Sequence, residues 1–115
     1  MKLPLQITAR NVDRSEALEA HIREKAAKLE RFSRHITRFH VTVELAHRHH
    51  HQGKLFDVRL DMTVPGDELV VSRQRHEDAY VAVRDAFDTA RRLLEDYERV
   101  RRGDVKQHEA PAAEA

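Results

Sequence analysis

A histidine-rich segment, His47-Arg48-His49-His50-His51, holds the side chains of this chain that are best suited to bind a metal ion. Neutral imidazole binds zinc, nickel and copper, and alternate residues of an extended backbone point to the same side, so the candidate ligands are His47, His49 and His51. The chain has no Cys, and the segment has no Asp or Glu to complete a structural site. The sequence therefore predicts no bound metal and no other cofactor.

Two further interpretations of the histidine-rich segment stay open. In the first, the segment contacts RNA: Arg48 binds a phosphate group while the histidine rings stack on unpaired bases or donate hydrogen bonds to them. In the second, the segment is an exposed connection between two strands and binds nothing.

Three carboxylates are the candidate residues for acid–base catalysis. Asp57 and Asp61 belong to the solvent-facing side of one predicted strand, and Glu44 lies on its neighbour. Carboxylates on an exposed sheet usually balance nearby positive charge, here that of Arg59 and His40. The sequence contains no recognisable glycine-rich phosphate loop, nucleophile elbow or Ser-His-Asp arrangement. It therefore predicts that the protein is not an enzyme.

Positive charge gathers along one flank of the segment between Ser15 and His35. At 3.6 residues per turn, the apolar side chains that form a stripe are Leu18, Ile22, Ala26, Leu29 and Phe32. The basic side chains beside that stripe are His21, Lys25, Lys28, Arg31 and His35. A basic flank next to a buried stripe indicates an anionic partner, with RNA phosphate the leading candidate. An ordinary solvated helix surface is the alternative.

Length and overall charge describe a small chain without a global nucleic-acid signature. Its 115 residues suffice for one domain, and the net charge is +1 with histidine neutral. Basic residues concentrate at the start, where residues 1–35 carry eight Lys and Arg against five Asp and Glu. The lack of Cys, of a signal peptide and of a membrane-length apolar run predicts a soluble, cytoplasmic protein with no membrane partner.

Alternating apolar residues predict four strands. The first covers residues 3–7, and three more follow at 39–45, 56–64 and 69–73. A turn at 65–67 joins the last two, since Pro presets one dihedral angle there and Gly accepts a positive φ. The last three strands therefore form an antiparallel meander.

Apolar residues spaced by three and four predict two helices. The first is capped by Asp13 or Ser15 and ends at Phe32 or Ser33. The second covers about 77–102, and Gly103 ends it. The apolar seam that this second helix lays on the sheet consists of Tyr80, Val83, Phe87, Ala90, Leu94 and Tyr97.

These elements predict an α+β fold in which a single domain, residues 1–103, has the order βαβββα. A strand, a helix and a neighbouring parallel strand connect through a right-handed crossover, which places the first helix on one face of a four-stranded sheet. Each strand has only one apolar side, so the second helix covers the same face. Residues 104–115 are polar, rich in Ala and net acidic, and we expect them to form a flexible tail.

Four short motifs, in this order along the chain, resemble those of a known family. They are Ile7-Thr8-x-Arg10-Asn11-Val12, Glu16-Ala17-Leu18, Lys25-x-x-Lys28-Leu29-Glu30-Arg31-Phe32 and Asp78-x-Tyr80-x-Ala82-Val83. On these motifs the chain resembles the bacterial ribosome-hibernation factors, the group of the short hibernation-promoting factor and ribosome-associated inhibitor A. The resemblance implies a non-enzymatic translation inhibitor that binds small-subunit ribosomal RNA in the decoding channel. It would block messenger and transfer RNA binding in idle ribosomes during stress or stationary phase.

The resemblance also suggests which residues contact ribosomal RNA. Lys25 and Lys28 stand where the family has Lys on the first helix, and Arg92 matches a basic position on the second. With residues added from the charge pattern, the predicted RNA-binding set is Lys25, Lys28, Arg31, Arg91 and Arg92, with Arg10 and Arg48 as secondary contacts.

The second helix departs from the relatives, which often end it in a run of Lys. Here acidic residues alternate with Arg, and the pairs with i,i+4 spacing are Arg84–Asp88, Asp88–Arg92, Arg91–Glu95, Glu95–Arg99 and Glu98–Arg102. We therefore expect a largely self-neutralised surface, with Arg91 and Arg92 the exceptions. The chain also has no counterpart of the additional C-terminal domain of long-form relatives, so we expect any pairing of ribosomes to require a separate dimerising factor.

The alternative function is a protein-interaction module or a metal-responsive dimer. Such a module would use the open face of the sheet and the histidine-rich segment, and zinc would shift its thermal stability or its mass in solution. A general binder of double-stranded RNA is a third interpretation, under which free duplex RNA would compete with ribosomes.

Overall fold

In the computed structural model, which describes residues 4–45 and 55–103, six elements follow one another in the order βαβββα. The strands are β1 (Leu5–Arg10), β2 (Arg38–Leu45), β3 (Phe56–Val64) and β4 (Asp67–His76), and the helices are α1 (Glu16–Phe32) and α2 (Ala79–Arg102). This order confirms the α+β fold predicted from the sequence. The histidine-rich segment and the predicted tail at 104–115 lie outside the described residues.

The four strands form one sheet in the spatial order β1-β2-β3-β4. β1 is parallel to β2, and β2, β3 and β4 form the predicted antiparallel meander. Because side chains alternate along a strand, one face of the sheet is apolar and the other is polar. The strand residues buried on the apolar face are Phe39, Val41, Val43, Val58, Leu60, Met62, Val64 and Val71.

Both helices pack on the apolar face of the sheet. Buried residues of α1, such as Ile22 and Leu29, belong to the same core as the strand residues and those of α2. Phe39 of β2 and Phe87 of α2 contact each other within it, with ring centroids 5.9 Å apart. The prediction that both helices share one face is therefore confirmed, and we call the other face the open face. Within the described ranges, neither helix is long and apolar enough to cross a membrane.

α1 begins at Ser15, whose side-chain oxygen accepts a hydrogen bond from the Leu18 backbone N–H at 3.2 Å. Of the two predicted caps, Ser15 is the one used. The helix ends after Phe32, because Ser33 has an extended backbone (φ −137°, ψ 123°) and is buried. His35, which the sequence pattern placed on the basic flank of the helix, therefore lies beyond the helix end.

α2 is capped at both ends. Asp78 Oδ1 accepts a hydrogen bond from the Tyr80 N–H at 2.9 Å, and Gly103 ends the helix in the left-handed region with φ 81°. The small side chains on its inner side are fully buried: Ala82, Ala86 and Ala90. A helix with such an inner side can approach the sheet closely, which fixes its distance from the strands.

β4 is longer than the sequence predicted. The apolar pattern predicted a strand at 69–73, whereas β4 spans Asp67–His76. In the added C-terminal part, Arg75 pairs in register with Asp57 of β3, and its Nε lies 2.6 Å from Asp57 Oδ1. This cross-strand ion pair continues the sheet on its polar side, so the extension has no hydrophobic signature.

Candidate nucleic-acid interface

Two contacts join α1 to α2 and identify the side of α1 that faces its neighbour, and a third joins the segment just after α1 to α2. They are the ring pair His21–Tyr80 with centroids 5.1 Å apart, Arg91 Cζ at 4.7 Å from the centroid of the Phe32 ring, and His35 Nδ1 at 2.7 Å from Glu98 Oε2. The first two place one stripe of α1, residues 21, 25, 28 and 32, along the groove between the helices. Lys25 and Lys28 therefore border this interhelical groove.

Four basic side chains on and just after the second half of α1 make no ion pair with any carboxylate in the described part of the chain. We call them the cationic cluster: Lys25, Lys28, Arg31 and Arg34. Lys25 is half-buried and the other three are exposed. Because no intramolecular ion pair has to be broken, these charges are available to an anionic ligand at little cost.

The cationic cluster continues around the end of α1. Arg31 and Arg34 line a surface depression together with Glu30 and Ile36. Arg34 was not among the predicted RNA-binding residues, because on a helical wheel it falls outside the basic flank formed by residues 21, 25, 28, 31 and 35. The depression joins the basic flank of α1 to the segment that leads into β2.

On α2, at least three of the six arginines form ion pairs with carboxylates of the same helix. The ion pairs are Arg91–Glu95 at 3.4 Å, Arg84–Asp85 at 3.0 Å and Arg99–Asp96 at 3.7 Å. The first has the predicted i,i+4 spacing, while Arg84 and Arg99 pair with carboxylates at other spacings than predicted. Glu98 likewise turns toward His35 of the segment after α1. These pairs agree with the expectation of self-neutralisation on α2, but the expectation that Arg91 is an exception is wrong, because Arg91 itself pairs with Glu95.

Arg91 and Arg92 are adjacent in sequence, but they lie on different sides of α2. Arg91 covers the Phe32 ring at the interhelical groove, close to the basic flank of α1. Consecutive residues of a helix are about 100° apart, and Arg92 donates a hydrogen bond to Thr89 Oγ1 at 3.3 Å on another side. The fold therefore brings Arg91, but not Arg92, together with Lys25 and Lys28.

Arg10 lies on the other face of the sheet from the helices. It lies opposite Glu44 in the β1–β2 register and lines a depression in the open face with His40 and Arg59. The sheet thus separates Arg10 from the cationic cluster. The remaining predicted contact, Arg48, lies outside the described residues, as do His47, His49 and His51.

On the open face, two carboxylates form ion pairs with basic neighbours. Asp57 pairs with Arg75, as described above, and Asp61 Oδ1 lies 3.2 Å from Arg59 Nη2. The hydrogen bond and the negative charge of Asp61 raise the pKa of Arg59. The expected balance of Asp61 by Arg59 is therefore confirmed. The prediction that His40 balances a carboxylate is not met among the described residues, since its Nε2 instead lies 2.9 Å from Thr8 Oγ1.

In the described part of the chain, no three His, Cys, Asp or Glu side chains lie close enough together to hold a metal ion. Two carboxylates of the open face, Asp57 and Asp61, are instead engaged in charge pairs, and such groups act as structural counterions.

Two aromatic residues are more exposed than their places in the apolar patterns predicted. Tyr80, assigned to the seam of α2, is 42% exposed, and Phe32, assigned to the stripe of α1, is 38% exposed. Both lie at an end of their helix, where the side chain reaches past the edge of the core. Arg91 covers the Phe32 ring, whereas Tyr80 rests on the edge of His21.

The chain belongs to the family described as Sigma 54 modulation protein / S30EA ribosomal protein, which matches it over residues 5–102. This family is one of ribosome-associated factors, not a family of enzymes. Family membership confirms the resemblance seen in the four sequence motifs.

Individual relatives agree with this assignment. The chain is 28% identical over 89 residues to the ribosome hibernation promotion factor of Deinococcus radiodurans, a match that covers 77% of this chain and 46% of that protein. The chain thus spans about half the length of this relative.

Two solved structures share the fold. A ribosomal subunit interface protein from Coxiella burnetii has a TM-score of 0.69 at 20% identity, covering 84% of this chain and 98% of that one. The N-terminal domain of Thermus thermophilus Protein Y has a TM-score of 0.67 at 22% identity, covering 84% and 99%.

Proposed function

We propose that this protein is a cytoplasmic ribosome-hibernation factor that binds small-subunit ribosomal RNA through the cationic cluster and the interhelical groove. It occupies the decoding channel and thereby blocks messenger and transfer RNA binding in idle ribosomes. The observation that carries the proposal is the cationic cluster, whose side chains form no ion pair within residues 4–45 and 55–103, in a chain of this family. The name of the Deinococcus relative points to the same activity.

Phosphate contacts supply the affinity in this proposal, and surface shape supplies the selectivity. The deep, narrow major groove of an A-form helix hides the base edges from side chains, so a rigid basic surface recognises folded RNA by the spacing of its phosphates. Lys25, Lys28 and Arg31 lie on successive turns of one helix, which holds their spacing fixed. Binding of this kind forms and breaks no covalent bond.

The other predicted contacts have different places in the proposal. Arg91 extends the basic surface across the groove, although its ion pair with Glu95 reduces its contribution. Arg92 and Arg10 would touch RNA only where the ribosome reaches around the helix layer or the sheet. Arg48 would add a contact from the histidine-rich segment. Pairing of ribosomes would require a separate dimerising factor.

Charge reversal of the cationic cluster tests the proposal. We expect K25E/K28E to lower affinity for small subunits by about tenfold or more in low salt, because two phosphate contacts become repulsive. The matched control is R23E/R99E, which makes the same change in net charge at exposed cations that already have acidic neighbours. Sedimentation of each variant with purified small subunits measures the affinity, and circular dichroism verifies the fold.

A second measurement tests the inhibitory step. Saturating wild-type protein should reduce the binding of messenger and initiator transfer RNA to small subunits, and K25E/K28E should not. Equal loss of affinity in both double variants would remove the cationic cluster from the interface. Wild-type protein that binds small subunits but leaves messenger and transfer RNA binding intact would refute the decoding channel as its site.

A further inference from the structure

The two tyrosines of the chain, both on α2, are used in different ways. The Tyr97 hydroxyl donates a hydrogen bond to the Pro65 carbonyl oxygen at 2.8 Å, and Arg101 lies over its ring with Cζ 5.8 Å from the centroid. Tyr80 has no hydrogen bond from its hydroxyl to any described residue, and it is 42% exposed. Tyr97 therefore stabilises the fold through its hydroxyl, whereas Tyr80 exposes part of its aromatic ring to solvent.

The Tyr80 ring is supported from the protein side. His21 of α1 meets it edge-on, with an interplanar angle of 60°, and this packing leaves His21 Nε2 buried without a hydrogen-bond partner in the described chain. The Asp78 cap fixes the backbone of Tyr80 at the start of α2. An exposed ring that packs against one neighbour and rises from a fixed backbone loses little conformational entropy when a flat ligand stacks on it.

Charge next to the ring indicates the kind of ligand. Lys25 follows His21 by one helical turn and belongs to the cationic cluster, and Arg84 follows Tyr80 by one turn on α2. Tyr80 thus lies at the end of the interhelical groove, with Lys25 one turn beyond its ring partner His21 and with Arg84, which pairs with Asp85, one turn along α2. A flat aromatic surface next to cations suits a nucleotide, whose base stacks while its phosphate contacts the charge.

We propose that Tyr80 is a stacking site for one unpaired nucleobase of ribosomal RNA, with His21 positioning the ring and Lys25 contacting the adjacent phosphate. The inference rests on the proposed function and adds to it a contact that reads single-stranded rather than helical RNA. Stacking is a neutral interaction, so its contribution to affinity is insensitive to salt, unlike that of a lysine–phosphate contact.

Tyr80 variants test the proposal against small ribosomal subunits over a series of salt concentrations. We expect Y80L to weaken binding at least about fivefold, with an unchanged slope of log affinity against log salt, because one stacked base is lost. Y80F retains the ring and should bind within about twofold of wild type. V100A is the matched control, since Val100 is also an exposed apolar residue of α2, at 39%.

The outcomes distinguish failure of the stacking site from failure of the proposed function. Wild-type affinity of Y80L, or equal losses in Y80L and Y80F, would overturn the stacking site while wild-type binding still supports the proposed function. Failure of wild-type protein to bind at all would overturn both.

A crosslinking measurement on the wild-type protein avoids any effect of a substitution on folding. Ultraviolet irradiation of the protein bound to small subunits is followed by tryptic digestion, which places Tyr80 (residues 76–84) and Tyr97 (residues 93–99) on different peptides. We expect a nucleotide adduct on the peptide that carries Tyr80, and adducts confined to other peptides would overturn the stacking site.

Discussion

His35 Nδ1 donates a hydrogen bond to Glu98 Oε2 at 2.7 Å, and this contact ties the segment after α1 to the last turns of α2. Ser33 Oγ donates to the same carboxylate oxygen, and the edge of the His35 ring meets Tyr97 at 6.2 Å between centroids. One carboxylate therefore fixes how the two helices meet, on which the geometry of the interhelical groove depends.

The Glu98 contact predicts a loss of stability in acid. Burial raises the pKa of Glu98. Hydrogen bonds from His35 and Ser33 and the charges of His35 and Arg101 lower it by more than burial raises it, so the pKa lies below the usual 4.5. A carboxylate whose pKa is lower in the folded than in the unfolded protein stabilises the fold at pH values above its unfolded-state pKa. This contribution disappears as the pH falls through its folded-state pKa. Stability should therefore decline below about pH 4.5.

Urea unfolding of E98Q measures this contribution. We expect E98Q to be about 1–2 kcal/mol less stable than wild type at neutral pH, since hydrogen bonds to a charged group are lost and the site is partly exposed. The difference should shrink in acid, where wild-type Glu98 becomes protonated. E95Q, at a more exposed ion pair, is the control. A difference that stays constant from neutral to acid pH would contradict the assignment.

The buried alanines of α2 predict sensitivity to added volume. A86L should lower the free energy of unfolding by about 1–3 kcal/mol, because Ala86 is fully buried and the extra methyl and methylene groups push the helix from the sheet. A20L, at an exposed position of α1, should change it by less than about 0.5 kcal/mol. Equal effects of the two variants in thermal or urea unfolding would disprove the close approach of α2.

Ion pairing on the protein predicts which cations contribute to the salt dependence of ribosome binding. Removal of one phosphate contact lowers the slope of log affinity against log salt by about one. We expect K28Q to reduce the slope by about this amount, because Lys28 has no ion pair in the described chain. R84Q, whose parent side chain pairs with Asp85, should reduce it less. The reverse order would place the principal contact on α2.

Arg10 distinguishes the two faces of the sheet. If RNA binds on the helix layer, R10E should keep ribosome affinity within about threefold of wild type, while K28E loses much more. The two variants make the same change in net charge, so each controls for the other in a sedimentation assay. A larger loss for R10E than for K28E would put the open face in the interface.

The fold was predictable because each strand has one apolar side and each helix one apolar stripe. Leu29 and Phe87 lie in the core as their spacing indicated. The end of β4 was not predictable in the same way, because Arg75 extends the strand through an ion pair on the polar side. Charge pairs across a sheet depend on register, which a hydrophobic pattern does not contain.

The candidate interface was predictable only in part. Lys25 and Lys28 lie on a basic flank as a helical wheel predicts, but the wheel continued to His35, beyond the end of the helix at Ser33. The separation of Arg91 from Arg92 follows from the helix itself, but which of the two faces α1 depends on tertiary packing. The exposure of Tyr80 likewise depends on where α2 leaves the core, and an apolar spacing does not report it.

The hydrogen bond from Tyr97 to Pro65 has a practical consequence. It fixes the final turns of α2 against the β3–β4 hairpin, so the direction of the helix axis is fixed up to Arg102. A fluorescent probe on the last turn would sit on a rigid arm at a known distance from the basic flank of α1. Energy transfer from such a probe to labelled small subunits would then report the orientation of the whole molecule on its partner.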